Sequence, residues 1–364
     1  MDQAPADSGI RIYAKVARLY RYKKLWSNII PENWSYQLER PLNTGSNSLP
    51  YNDKDTLMRL KSEHLAYLLL AATTLFWGGN FIVGRAVSAE IPPVALAWWR
   101  WLFALVCILP FTLQSLWSVR QAIRQHWKFL TLVSILGVTN FNTFVYLGLQ
   151  TSTATDAVLL LSATPVIILI FSRLLFHEPI TRQQLVGITL SLSGVLVIIT
   201  GGVPTHLAAI FQGAASSLWI LAAVISWSLY SVLLRKRSSD FNGQAFFAIT
   251  VILGWLCITP FYLHEHWIQN EQMPWTLNAV YSITYVGLFA SVFAFLFWNR
   301  GVEILGANRA GNFIHLIPVW ALLLASVTLG ERMHWFHWLG IVLIFSGIAL
   351  ASLKRTSVPQ AAAR

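Results

Sequence analysis

The chain has 364 residues, 55% of them hydrophobic and 11% charged, with a net charge of +11. Soluble domains carry roughly 25% charged residues, so a chain this poor in charge must present much of its surface to lipid. Its two cysteines, Cys107 and Cys257, both lie in apolar runs and give no sign of a disulfide framework or a metal cluster.

Residues 1–63 lack the apolar core of a cleavable signal peptide. Between residues 10 and 30 they interleave Tyr, Leu, Val and Trp with six basic residues. Their Pro, Asn and Ser content favours a solvated tail, with a basic amphipathic helix on the inner leaflet as the alternative. Ten apolar runs come next, each near the 20 residues that a spanning helix needs: 65–84, 93–113, 129–150, 154–176, 185–201, 213–234, 244–263, 276–298, 310–329 and 335–353. The expected organisation is a cytoplasmic extension (1–63), two five-span units (64–204 and 205–355) and a cytoplasmic tail (356–364). The fold class expected is an all-α polytopic membrane protein.

The basic residues follow a topological pattern, which sets aside a nucleic-acid binder. With the first 63 residues placed inside, 23 of the 26 Lys and Arg fall on inside segments. Arg85 and Arg332 fall outside, and Arg100 lies within a span. Leaving out the long N-terminal tail, the ratio is still 13 to 2. This positive-inside bias predicts that both ends lie in the cytoplasm of a cell whose inner or plasma membrane holds the protein.

The two units repeat each other. A shift of 150 lays Trp77, Arg85, Cys107, Ile108, Pro110 and Phe111 on Trp227, Arg235, Cys257, Ile258, Pro260 and Phe261. A shift of 153 lays Gly148, Ala154, Ala157, Pro165, Glu178, Gly187, Ser193 and Gly194 on Gly301, Ala307, Ala310, Pro318, Glu331, Gly340, Ser346 and Gly347. Five spans is an odd number, so the second copy enters the membrane from the opposite side. Inverted repeats of this kind build secondary transporters, with the site near the midplane between the copies.

The run from Leu75 through Phe76, Trp77, Gly78, Gly79 and Asn80 to Gly84, followed by Trp99 and Arg100, resembles the start of an EamA domain of the drug/metabolite transporter superfamily. Its end is matched by Leu147 to Ala154, Pro165, the sequence His177-Glu178-Pro179, and Gly187 to Gly194. The second copy repeats the later pattern at Ala307, Pro318, Gly330, Glu331, Gly340 and Gly347. The resemblance covers roughly residues 65–353. It implies a central cavity among spans one to four and six to nine, with spans five and ten at the periphery.

No P-loop, His-Glu-x-x-His or Cys-x-x-Cys is present, so no enzymatic role, ATP-driven pumping, cofactor or metal is expected. No Asp or Glu falls in the middle of a span, so a buried carboxylate is not available for proton coupling. Arg100 is the one cation deep in a span, suited to a substrate carboxylate or to bracing helix packing. His315 could hydrogen-bond a solute or be satisfied by a neighbouring helix. Pro165 and Pro318 each remove a backbone donor and are candidate hinges. The remaining candidate cavity residues are Trp77, Asn80, Asn140, Asn142, Tyr146, Ser162, Trp227, Tyr230, Trp298, Asn299 and Asn312. Glu178 and Glu331 precede helices and read as caps. Glu265, between His264 and His266, reads as part of a solvated loop.

These features point to a secondary transporter, an exporter of a small metabolite such as an amino acid or analogue. A non-transporting membrane module acting through the basic tail is the alternative. The partners expected are a small-molecule substrate and membrane lipids, with homodimer assembly left open.

Overall fold

A computed structural model describes residues 53–151, 154–203, 205, 214–329 and 333–352. The N-terminal extension before residue 53, Glu331 and the C-terminal tail lie outside the described residues. Among the described residues the helical segments are grouped here into ten stretches. In the first repeat these are α1 (Asp53–Ala86), α2 (Pro93–Ser118), α3 (Arg120–Thr151), α4 (Ala154–Leu161 and Thr164–Phe176) and α5 (Arg182–Ile199). In the second they are α6 (Ala214–Leu233), α7 (Gly243–Leu263), α8 (Leu277–Leu305), α9 (Ala307–Gly311, Asn312–Leu316 and Ile317–Leu329) and α10 (Trp335–Ser352). Nine helices among the described residues are long and apolar enough to cross a membrane. The remaining stretch, α9, is interrupted by a 3₁₀ turn at Asn312–Leu316.

Helix ends are closed locally where the sequence supplies a cap. Thr181 and Gln184 form a capping box at the start of α5. Asn242 accepts from the Ala245 N–H at α7 (2.7 Å), and Thr276 accepts from the Ala279 N–H at α8 (3.2 Å). Glu178 is therefore not the cap of α5, because Thr181 sits nearer and its hydroxyl reaches the third helical N–H. Glu178 instead pairs with Arg235 and accepts from the Asn308 amide at 2.9 Å.

The start of α2 has no cap of its own, since Pro92 and Pro93 precede its first free N–H groups. Glu265 supplies one from the second repeat. Its two carboxylate oxygens accept from Val94 N (3.0 Å) and Ala95 N (2.6 Å). Glu265 is buried in a π-turn, His264–Ile268, that prolongs α7. The expected solvated loop is thus a continuation of the helix, and its acid closes a helix N-terminus whose dipole favours negative charge.

Ion pairs gather one set of helix ends. Glu178 after α4 meets Arg235 after α6, Arg237 meets Glu303 near the end of α8 (2.9 Å), and Arg309 in α9 reaches Glu63 in α1 (3.7 Å). We call this the basic end. At the opposite end Glu265 closes α2, and Arg85 donates to the Leu149 carbonyl at 2.9 Å.

The α5–α10 pair packs backbone to backbone. A Cβ on Gly187 would stand 2.7 Å from the Gly347 carbonyl, and one on Gly347 2.5 Å from the Gly187 carbonyl. Gly194 and Gly340 are in the same relation, at 2.6 and 2.7 Å. Small residues permit this close approach where lipid offers no hydrophobic drive between helices.

Candidate functional site

Three of the predicted aromatics form the centre of the molecule. Trp77 on α1 meets Trp227 on α6 edge to face, with centroids 4.9 Å apart, and Trp298 on α8 lies 5.2 Å from Trp77 and 5.4 Å from Trp227. Phe141 and Phe295 complete the cluster around Trp227. All five are buried. Edge-to-face contacts suit the ring quadrupoles and give a stiff packing unit.

Two polar knots flank this centre, one per repeat. In the first repeat the Tyr146 hydroxyl on α3 donates to Asn80 Oδ1 on α1 at 2.8 Å. In the second, the Tyr230 hydroxyl on α6 donates to Asn299 Oδ1 on α8 at 2.9 Å. Asn80 and Tyr230 are repeat mates at the shift of 150, and Tyr146 and Asn299 are mates at 153. The same bond is therefore made twice with donor and acceptor exchanged.

Arg100 joins only the first knot. Its guanidinium donates to Tyr146 Oη (2.6 Å), Asn80 Oδ1 (3.2 Å), Ser291 Oγ (2.8 Å) and the Ala290 carbonyl (3.1 Å). Its repeat mate at the shift of 150 is Thr250. The fork ties α2 to α1, α3 and α8, and every acceptor is neutral. The braced-packing reading of Arg100 thus has four hydrogen bonds behind it in this conformation.

Both α3 and α8 are interrupted by a π-turn, Ile135–Asn140 and Leu288–Phe293. These turns coincide when one repeat is shifted by 153 onto the other. A π-turn breaks the regular backbone ladder and commonly marks a functional position. The Ala290 carbonyl in the second turn accepts from Arg100 and from the Trp77 indole N–H (3.2 Å).

Ser162 and His315 are also repeat mates, and they meet. Helix α4 is broken at Ser162 and Ala163, just before Pro165, and α9 turns 3₁₀ before Pro318. His315 Nε2 lies 2.9 Å from the Ser162 carbonyl exposed by that break, and Nδ1 lies 2.6 Å from Ser191 Oγ on α5. A carbonyl only accepts, so Nε2 carries the proton. His315 is fully buried. It is satisfied by neighbouring helices.

A cavity of about 700 Å³ lies at the basic end among α4, α6, α8 and α9. Its lining includes Glu178, Arg235, Arg237, Glu303 and Arg309, and it reaches in to Ser231 and Asn299. Of the thirteen predicted cavity residues, Asn299 lines it and the other twelve do not. Ser231 lies one turn beyond Trp227 on α6 and accepts from the Trp298 indole at 3.3 Å, so the aromatic centre forms the boundary just past that inner end. Asn140 is half-buried at the end of its π-turn and enters neither knot. Asn312 is buried, and its side-chain amide has no partner among the described residues. Ser231 and Ser291 carry polar contacts and stand outside the set that the sequence pattern picks out.

The EamA-like transporter family model matches twice, over residues 64–200 and 215–353. The uncharacterized transporter YetK of Bacillus subtilis (strain 168) is 30% identical over 87% of this chain and 96% of its own length. A probable amino-acid metabolite efflux pump of Salmonella typhimurium is 26% identical over 80% of this chain and 94% of its own. A solved crystal structure superposes with a TM-score of 0.62 at 20% identity, covering 79% of this chain and 96% of the other, which supports the fold. The chain belongs to the EamA-like transporter family and is a multi-pass membrane transporter.

Proposed function

We propose that the protein is a secondary transporter that exports a small polar metabolite, an amino acid or analogue, by alternating access between its two repeats. The carrying observation is the central packing unit. Mates from the two copies meet at Trp77 and Trp227, a polar knot stands on either side, and the 700 Å³ cavity adjoins the knot of the basic end. Two interconvertible copies can hold such a cavity at one end and then at the other. The basic end is the cytoplasmic one in this reading, as the Lys and Arg distribution favours. The buried aromatic and amide groups suit an uncharged or zwitterionic solute. The efflux-pump name of the Salmonella relative agrees with the direction and substrate class.

Purified protein in liposomes, loaded with a candidate amino acid, tests the proposal. Saturable uptake accelerated by solute on the far side is the expected result. Flux that rises linearly with concentration overturns it.

A further inference from the structure

Several contacts recur in both repeats, but the indole bond of Trp77 has no counterpart among the described residues. Trp77 on α1 reaches across to the other repeat and donates its indole N–H to Ala290 in the α8 π-turn. The mate of Trp77 is Trp227, and the mate of Ala290 is Gly137 in the α3 π-turn. By symmetry Trp227 would donate to the Gly137 carbonyl. It does not: the Trp227 indole N–H has no partner among the described residues, although the ring is fully buried. A buried donor left unpaired is costly, and such groups call for a specific explanation.

The Tyr230 ring packs against Gly137 itself, so closely that a Cβ there would stand 2.6 Å from the ring. The Tyr230 hydroxyl is held by Asn299 beside the cavity. The Gly137 carbonyl meanwhile has a long contact with the Asn142 amide of its own helix, at 3.4 Å. On the other side the mate of Tyr230 is the smaller Asn80, which is drawn aside by Tyr146 and Arg100 and leaves Ala290 open to Trp77.

We propose that the indole N–H groups of Trp77 and Trp227 are alternate clasps of the transport cycle. Each closes on a π-turn carbonyl of the opposite repeat, Trp77 on Ala290 and Trp227 on Gly137, and one is closed at a time. The inference rests on the alternating-access reading above. The conformation described has the Trp77 clasp closed and the cavity at the basic end. In the exchanged conformation Tyr230 leaves Gly137, Trp227 takes its carbonyl, Trp77 releases Ala290, and the cavity passes to the opposite end. The two tryptophans stay in contact and the π-turns serve as fixed docking points.

The test uses full-length protein with Cys107 and Cys257 replaced by Ala and one reporter change at a time. Leu234→Cys reports the cavity at the basic end, where Leu234, just past α6, is half-buried in the lining. Phe81→Cys reports a position of α1 that is buried in this conformation and whose repeat mate, Ser231, lies at the inner end of that cavity. Each is labelled with a small maleimide in detergent. Trp77→Phe keeps an aromatic ring but removes the clasp donor. It is expected to slow labelling at position 234 several-fold and to speed labelling at position 81. Trp227→Phe is expected to shift both rates the other way or to leave them at native values. Should either tryptophan variant fail to fold, Asn299→Ala decides: it frees Tyr230 and is expected to act in the direction of Trp77→Phe. Both tryptophan variants moving labelling in one direction, or no change with Trp77→Phe or Asn299→Ala, overturns the proposal. Counterflow by the native protein is measured alongside. Intact counterflow without the labelling pattern removes the clasps alone, and the pattern without counterflow removes the transport reading alone.

Discussion

Trp77 and Trp227 hold the same place in the two repeats and touch, with ring planes at 87° and centroids 4.9 Å apart. The contact joins the two repeats at matched positions. Around it the repeats differ in one respect that matters for energetics. The knot of the first repeat carries a buried cation, and the knot of the second does not.

That difference predicts unequal costs for matched substitutions. Tyr146→Phe removes a bond to Asn80 and an acceptor from a buried guanidinium, which costs about 1–3 kcal/mol. Tyr230→Phe removes one neutral bond and costs about 1 kcal/mol. Unfolding in detergent is expected to rank Tyr146→Phe as the less stable. Equal stabilities, or the reverse order, would show that Arg100 does not depend on the Tyr146 hydroxyl.

His315 joins three helices, α4, α5 and α9. Replacing it with Ala leaves the Ser162 carbonyl unpaired and is expected to cost about 1–3 kcal/mol. Ser191→Ala is expected to cost less, because the Ser191 hydroxyl is also within bonding range of its own helix at the Ile188 carbonyl. A His315→Ala protein as stable as native but with a changed solute KM would instead make His315 a binding residue.

The span pattern and the repeat are legible in the sequence because they rest on length, periodicity and charge, which are properties of long stretches. The prolines are legible as helix breaks for the same local reason: neither can donate to the backbone ladder. The contacts that the breaks make possible are not legible. That Ser162 and His315 meet depends on how α4 and α9 face each other. Glu265 resembles a loop residue because it lies just past an apolar run between two histidines, a pattern shared with solvated loops. Only the packing of α7 against α2 shows that two prolines leave a helix start needing an acceptor there. Glu178 sits in sequence beside the start of α5, while its partners Arg235 and Asn308 lie in the other repeat. The π-turns have no compositional mark, so neither the Ala290 carbonyl nor Ser291 could be anticipated.

Glu265 supplies two hydrogen bonds at the start of α2. Glu265→Ala is expected to lower stability by about 1–2 kcal/mol, in the range of lost helix caps. Glu265→Gln keeps one acceptor oxygen and is expected to lose about half as much. Thermal unfolding with a reporter dye distinguishes the two, and a Glu265→Ala protein of native stability would contradict the assigned cap.

The α5–α10 glycines are predicted to be intolerant of any side chain. Gly194→Val would drive its methyl groups into the Gly340 backbone and is expected to cost at least the 1–3 kcal/mol typical of overpacking. Gly306→Ala separates backbone strain from crowding: no atom lies within 4 Å of a Cβ there, but its φ of +82° and ψ of 156° fall where essentially only glycine is found, so a cost of about 1–3 kcal/mol is expected from strain alone. The ratio of monodisperse to aggregated protein after extraction reads both.

The central claim is that two inverted copies carry a solute by exchanging conformations, and solute counterflow in proteoliposomes tests it most directly. With a transported amino acid or analogue trapped inside, labelled solute outside should enter faster than into empty liposomes, overshoot its equilibrium level and saturate with concentration. Entry that is linear in concentration and indifferent to trapped solute would contradict the account.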